Sequence, residues 1–339
     1  MPTLADIAKI AGVGVMSVSR VVNGSRRVTP EVERKVRAAI KRIGYEPNEA
    51  ARILKGHRAR VVGLIVPDLA DPFYATCANA IQETALAAGY MTLMAASGHR
   101  DDVERQQTKI MMQRHVAGLL VIPNGIHNDH FAAARKTGIP IVSLDRPLVN
   151  VQSDTLMVDN RAAAVRVTEH LINHGHKHIM CISNDEEIFT KIERIAGYSQ
   201  AMRRAKIPIR VCLSGRVSGS LSDQLEFALN SSSSPTAIFA TSNVLAVEAL
   251  RELQRRSVRI PEEMAFVAFD DFDAATLVRP TITVVRQPIA ELGKQAANLL
   301  LARLGKDTLT NPSKIVLRTE LIIRQSCGCC ERDPAARER

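Results

Sequence analysis

No apolar run in this chain approaches the ~20 residues that a bilayer-crossing helix needs. The opening residues, Met1-Pro2-Thr3-Leu4-Ala5-Asp6, lack a basic segment leading into an apolar stretch, so no secretory signal is visible. Both absences point to the cytoplasm. Enzyme signatures are missing as well. The sequence contains no phosphate-binding P-loop, no Gly-x-Ser-x-Gly elbow and no two-glycine dinucleotide fingerprint. The expectation is a protein that is not an enzyme and needs no cofactor.

Metal-binding patterns are incomplete. Of the six cysteines, Cys77, Cys181 and Cys212 stand singly in apolar surroundings and read as small core residues. Cys327, Cys329 and Cys330 cluster before a charged tail, but a fourth thiol or His partners at zinc-finger spacing are missing. The cluster reads as a short thiol-containing terminus, with metal binding or redox chemistry as the alternative. In His174-Gly175-His176-Lys177-His178, Gly175 reads as a helix end and His178 as a strand start. Those three histidines therefore need not converge, and a polar turn is expected in preference to a metal site. No metal ligand is assigned.

What the chain does have is size and an uneven charge. Its 339 residues, 46% of them hydrophobic, suffice for more than one domain and a large core. Residues 1–60 hold 13 Lys and Arg against 5 Asp and Glu, a net of +8, whereas the whole chain carries +10. A basic segment on a nearly neutral body suggests contact with a polyanion, nucleic acid first among them.

That segment reads as three short helices. Thr3 and Asp6 form a capping-box variant ahead of Leu4, Ile7, Ala8, Ile10 and Ala11, and Gly12 ends the helix. A second helix runs from near Val15 through Val18, Val21 and Val22 to Asn23-Gly24. A third begins at Thr29-Pro30 and ends at Gly44. A tight glycine turn between the first two matches a helix-turn-helix, whose second helix enters the major groove. Val15, Met16, Ser19 and Arg20 would meet base edges there, Arg20 pairing with guanine and the apolar pair meeting a thymine methyl. Ser17, Ser19, Asn23 and the Arg26-Arg27 pair suit phosphates. The alternative is a small helical bundle with no role on DNA.

Thr3-Leu4-Ala5-Asp6-Ile7-Ala8, Ala11-Gly12-Val13, Ser17-Val18-Ser19-Arg20-Val21-Val22-Asn23 and Gly44-Tyr45-Glu46-Pro47-Asn48-Glu49-Ala50-Ala51-Arg52 closely resemble the head of the lactose/galactose repressor (LacI) family. The resemblance implies DNA contacts from Thr3, Val15, Met16, Ser17, Ser19, Arg20, Asn23, Arg26, Asn48, Ala51 and Leu54. It also implies a hinge helix that forms on operator DNA, with Leu54 as the apolar wedge that unstacks a base step in the minor groove.

From Val61 onward, short apolar runs (Val61-Val66, Met91-Ala95, Gly118-Ile122, Ile139-Leu144, then His178-Ile182, Ala237-Ala240, Met264-Phe269) alternate with helical patterns. This alternation implies parallel sheets with helices on both faces, and the length implies two similar lobes with a ligand cleft at the strand ends. The body resembles the periplasmic-binding-protein-like core of the same family. Segments that carry the likeness include Asp71-Pro72-Phe73-Tyr74, Leu144-Asp145-Arg146, Arg194-Ile195-Ala196-Gly197-Tyr198, Phe269-Asp270-Asp271 and Gln287-Pro288. The likeness implies an effector pocket of Phe73, Tyr74, Asp145 after the fourth strand, Arg194 opening a helix, Ser242, Asp270 ending a strand, and Gln287 at the lobe crossover. Carboxylates and a guanidinium suit sugar hydroxyls, and an aromatic suits a pyranose face. One departure stands out: Ser242-Asn243 replaces the Asn-Asp common in the family.

The expected fold is an N-terminal all-α helix-turn-helix head (1–46), a hinge helix and linker (47–59), and an α/β two-lobed periplasmic-binding-protein-like core with parallel sheets (60–326). Lobe 1 is set at about 60–158 and 288–315, and lobe 2 at about 159–287 and 316–326. Residues 327–339 are expected to be a disordered, Cys-containing charged tail. The functional expectation is a sequence-specific repressor, a homodimer on pseudo-palindromic operator DNA, controlled by a small molecule, a sugar or sugar derivative. It has no membrane partner. The tail lacks a leucine heptad, so no tail-mediated tetramer is expected. Control by a protein co-regulator, or a sugar-binding transport receptor, are the alternatives.

Overall fold

The computed structural model describes residues 2–22, 28–45, 59–125, 128–184, 188–215, 219–304 and 311–329. The chain divides into two compact units, Met1–Ala59 and Arg60–Arg339.

In the first unit, α1 (Leu4–Ala11) opens with a reciprocal cap. Thr3 Oγ1 accepts from the Asp6 N–H, while the Asp6 carboxylate accepts from the Thr3 N–H at 2.8 Å. Gly12 closes the helix at φ 65°, a left-handed conformation that costs glycine little. The chain turns over Val13 and Gly14 into α2 (Val15–Val22), and Thr29 and Pro30 start α3 (Pro30–Ile43). Ile7, Val18 and Val36, one from each helix, are fully buried against each other's neighbours and form the core. Asn23 and Arg26, and Asn48, Ala51 and Leu54 in the expected hinge, lie outside the described residues.

The described residues of the second unit form two six-stranded sheets. The first comprises β1 (Val61–Val66), β2 (Met91–Ala96), β3 (Leu119–Val121), β4 (Ile141–Leu144), β5 (Asp154–Val158) and β11 (Lys314–Leu317), in the order β11-β5-β4-β3-β1-β2. All its pairings are parallel. The second comprises β6 (Ile179–Asn184), β7 (Val211–Ser214), β8 (Ala237–Ala240), β9 (Ala265–Phe269), β10 (Thr283–Arg286) and β12 (Glu320–Ile322), in the order β12-β10-β9-β8-β6-β7. Here only β12 runs antiparallel to its neighbour.

Helices α4 (Pro72–Ala87), α5 (Asp101–Gln113), α6 (Asp129–Lys136) and α12 (Ile289–Arg303) pack on the first sheet. Helices α7 (Asn160–Asn173), α8 (Phe189–Arg204), α9 (Leu221–Leu229) and α10 (Asn243–Arg255) pack on the second, followed by the one-turn α11 (Ala274–Leu277). Each lobe has a helix pair brought close by one glycine. A Cβ on Gly293 of α12 would sit 2.6 Å from the Cys77 carbonyl oxygen of α4, and one on Gly197 of α8 would strike the Arg161 carbonyl oxygen of α7.

Strands β5, β7, β10, β11 and β12 go beyond the apolar runs read from the sequence. β7 alternates half-buried and buried residues, and β11 and β12 mix exposed and half-buried ones, so their patterns are mixed and short. The chain crosses between lobes three times, after β5, after β10 and after β11. The last crossing falls after Leu317, two residues later than expected, because Lys314–Leu317 completes the first sheet beside β5. Asp159 binds the crossings together: its carboxylate accepts from Thr319 N at 2.9 Å and from Arg166 Nη1 at 2.8 Å, while Arg166 Nη2 reaches Thr319 Oγ1 at 2.7 Å.

The tail boundary also moves. Cys327 is buried and Cys329 half buried, so the expected disordered tail cannot begin at 327. Ser326 anchors this stretch: its Oγ accepts from Thr283 N at 2.8 Å, and Phe266 N donates to its carbonyl at 2.8 Å. Burial pushes the Cys327 thiol up, but hydrogen bonds with His170, Cys329 and Thr283 outweigh it and bring it down to about 6. Cys77, Cys181 and Cys212 are core residues.

Candidate functional site

On α2 the buried Val18 and Val21 define the inner face. At 100° per residue, Met16 and Arg20 fall on the opposite side, with Val15 at its edge. Val15 is 48% and Met16 70% exposed, a high figure for apolar side chains on a helix whose inner face is sealed. Arg20 is exposed beside them, and Ser17 and Ser19 are half-buried on the flanks. Thr3 stands apart. Its hydroxyl both accepts from Asp6 N and donates to the Asp6 carboxylate at 2.7 Å, so the side chain is engaged in the cap. These bonds hold the Asp6 carboxyl below its ordinary range.

The second site is a cavity of about 500 Å³ between the two lobes. Phe73, Tyr74, Asp145, Arg194, Ser242, Asp270 and Gln287, residues from both lobes separated by up to 214 positions of sequence, all line it. Asp145 follows β4 and Asp270 follows β9, the third strand in each sheet's order. Both adopt left-handed backbone, at φ 64° and φ 74°, which Asp tolerates better than most side chains. The same device thus aims one carboxylate from each lobe into the cleft.

Arg194 does not open its helix. It lies in the second turn of α8, where Nε donates to Asn160 Oδ1 at 2.8 Å and Nη1 to the Thr241 carbonyl at 2.7 Å. The guanidinium stacks on Phe269, 3.6 Å from the ring centroid, and approaches Asp270 at 3.8 Å. Burial raises the Asp270 carboxyl above its usual range, only partly offset by Arg194 and by a hydrogen bond from Gln287 Nε2. Gln287 Oε1 is buried with no partner, a free acceptor at the cavity wall.

Arg146 was not assigned a role from the sequence, though it stands beside Asp145 in Leu144-Asp145-Arg146. It is buried and fully tied: Nε to Asp145 at 3.2 Å, Nη1 to the Asn124 carbonyl at 2.9 Å and Nη2 to Tyr74 Oη at 2.9 Å. It therefore fixes two cavity-lining groups. Burial pushes the Tyr74 phenol up to about 12, so it remains a neutral hydroxyl. Phe73 and Tyr74 pack edge to face with centroids 5.3 Å apart.

Asp68, Asp71, His99, Asn184, Lys191 and Asn243 are further wall residues that the sequence reading missed. The departure at 242–243 acquires a structural meaning. Ser242 Oγ caps α10 by accepting from Leu245 N, and Asn243 Nδ2 donates across the cleft to Asp71 Oδ1 at 3.3 Å. An aspartate at 243 would set two carboxylates against each other there.

Of the three alternate histidines, His174 lies against the last turn of α7, while His176 contacts Thr236.

A helix-turn-helix head and a two-lobed α/β body with a polar cavity between its lobes define a ligand-responsive transcription regulator. The chain belongs to the lacI family of bacterial regulatory proteins, which residues 3–48 match, while residues 168–327 match a periplasmic binding protein-like domain. It is 31% identical to the HTH-type transcriptional regulator DegA of Bacillus subtilis (strain 168), over 96% of this chain and 97% of DegA. Among solved structures it is similar to the transcriptional regulator CelR in complex with cellobiose, at 29% identity and a TM-score of 0.70, covering 96% of this chain and all of that one. It shares the fold of the lac repressor dimer bound to operator and the anti-inducer ONPF, at 24% identity and a TM-score of 0.79, covering 96% and 99%. No helix among the described residues is long and apolar enough to cross a membrane.

Proposed function

We propose that this chain is a transcriptional repressor that binds a pseudo-palindromic operator as a homodimer and is controlled by a small polyhydroxylated effector, a sugar or sugar derivative, in the interlobe cavity. The observation that carries the reading is the cavity's wall. Two lobes contribute matched carboxylates at Asp145 and Asp270, a buried guanidinium at Arg194 and an aromatic pair at Phe73 and Tyr74. Its volume suits a small molecule, and carboxylates, a guanidinium and an aromatic wall together suit a ring carrying several hydroxyls. The cellobiose held by CelR supports this ligand class.

Val15, Met16, Ser19 and Arg20 would read base edges, with Ser17 and Thr3 near phosphates. One head reads too few base pairs for specificity, so two are needed, as in the dimeric lac repressor on its operator. Asn23, Arg26, Asn48, Ala51 and Leu54 retain their proposed DNA roles on sequence grounds. The place of action is the cytoplasm, with the DNA.

Fluorescence anisotropy on a pool of short palindromic duplexes with a central CG step tests the reading, at several salt concentrations and with candidate sugars. Tight binding to a subset, weakening with salt and altered by one sugar, is expected. Uniformly weak binding to every duplex, with or without sugars, overturns it.

A further inference from the structure

The effector cleft does not use the far end of α7. His170 and His174, one turn apart, present their rings side by side there, with centroids 4.4 Å apart. The segment anchored by Ser326 brings two thiols to the same place. One ligand atom each from His170, His174 and Cys329 lies within 4.8 Å of the others, and Cys327 Sγ is 2.9 Å from Cys329 Sγ. Gly328, at φ 71°, makes the turn between the cysteines.

We propose that His170, His174, Cys327 and Cys329 form a metal site of the zinc class, separate from the effector cleft, that fastens the C-terminal segment to α7. Four soft or borderline ligands, two imidazoles and two thiols, are the donor set of a closed tetrahedral structural zinc site. Cys327 Sγ, beside Cys329, would shift to complete the set around an ion, and the surrounding groups favour it. His174 Nδ1 donates to the His170 carbonyl at 2.7 Å, which orients the ring and makes Nε2 its ligand atom in the proposed site. His170 already faces the Cys327 thiol, so one imidazole and one sulfur stand next to each other before any ion arrives. Thr283 Oγ1 donates to Cys327 Sγ at 3.2 Å, a bond that favours the thiolate. On binding, each thiol still protonated loses its proton to solvent, and no oxidant or reductant is involved.

The site spans elements remote in sequence, so the spacing rule that applies to zinc fingers did not reveal it. It lies about 20 Å along α7 from Asn160, the residue that holds Arg194 at the cleft. A ligand set at one end of this helix and an effector contact at the other make α7 a shared element, without placing the metal in the cavity.

The test uses the full chain, reduced and freed of metal, then titrated with Co²⁺ and Zn²⁺. Expected are about one ion bound per chain by elemental analysis, thiolate-to-cobalt charge transfer in the near ultraviolet, intense visible bands of tetrahedral cobalt, and displacement by Zn²⁺. His174→Ala and Cys329→Ser, both at half-buried positions that spare the core, should each weaken binding by more than about tenfold. His176→Ala and Cys212→Ser should not. Absence of the charge-transfer bands in the reduced wild type overturns the proposal. So does unchanged binding in a His170→Ala/His174→Ala variant, which would mean that thiols alone hold the ion. Quantitative conversion of Cys327 and Cys329 to a disulfide in the presence of excess Zn²⁺ overturns it as well.

Discussion

Replacing Arg194 by Met keeps a long side chain over Phe269 and removes only the guanidinium. Two charge-assisted hydrogen bonds disappear, to Asn160 Oδ1 and the Thr241 carbonyl, and each such bond is worth about 1.5–3 kcal/mol. Asp270, 3.8 Å away and buried, loses its nearest cation. Against these losses stands the cost of burying a guanidinium, several kcal/mol, which the variant no longer bears. The balance resembles a broken buried pair, and we expect a loss of about 3 kcal/mol at neutral pH, a fall in Tm of roughly 6–12 °C. The pH dependence carries the sharper prediction. Without Arg194 the Asp270 carboxyl, already raised by burial, rises further in the folded state. The unfolded chain then ionises first as pH rises, so the variant loses stability on going from the ordinary carboxylate range up through the raised value. Urea unfolding should therefore show a larger deficit at pH 8 than at pH 5. Adding Asp270→Asn should remove that slope and restore about 1–2 kcal/mol. Equal losses in the single and double variants, with no slope in either, would show that the guanidinium acts by packing alone.

Three other outcomes follow from the geometry. Arg20→Ala should cost about 1–3 kcal/mol on a specific duplex and less on random DNA in anisotropy titrations; equal losses would remove it from the base-reading set. Gly197→Ala forces a Cβ onto the Arg161 carbonyl and the Ala164 methyl, and should lower the urea midpoint by about 1–3 kcal/mol of stability, whereas an unchanged midpoint would mean that α7 and α8 part easily. Because burial lifts the Tyr74 phenol to about 12, the unfolded chain ionises first and stability should fall between about pH 10 and about pH 12. Tyr74→Phe should lessen that fall and delete a late-ionising tyrosinate from an alkaline absorbance titration, and an early-ionising one would contradict the burial.

The head was legible because its signals are local. Thr3 with Asp6, Gly12, and Thr29-Pro30 each act within four residues, and the structure uses each as a cap or a stop. Most buried strands announced themselves as apolar runs for a related reason: a parallel strand covered on both faces has no polar side to show, although Asp154 and Thr155 in β5 and Thr283 and Arg286 in β10 broke that signal. Edge strands were missed because β11 and β12 mix exposed and half-buried residues over only four and three positions. In the cleft, residues that could be matched motif by motif were placed together. Arg146 and Asn243 were not assigned, because their roles depend on partners 72 and 172 residues away. The cluster of His170, His174, Cys327 and Cys329 was hidden for the same reason. Nothing in either segment points to the other until β9 and β10 hold Ser326 in place.

The three crossings between the lobes lie side by side, for β5 pairs with β11, Arg286 of β10 pairs with Glu320 of β12, and Asp159, Arg166 and Thr319 lock the gap between them. Two free bodies have six relative degrees of freedom. Three adjacent, cross-linked strands suppress sliding and leave, in the main, a rotation about the line that runs through them. A molecule seated between Asp145 and Asp270 would then select a single angle. Such a joint passes on one number, the angle, whatever the chemistry of the molecule that sets it.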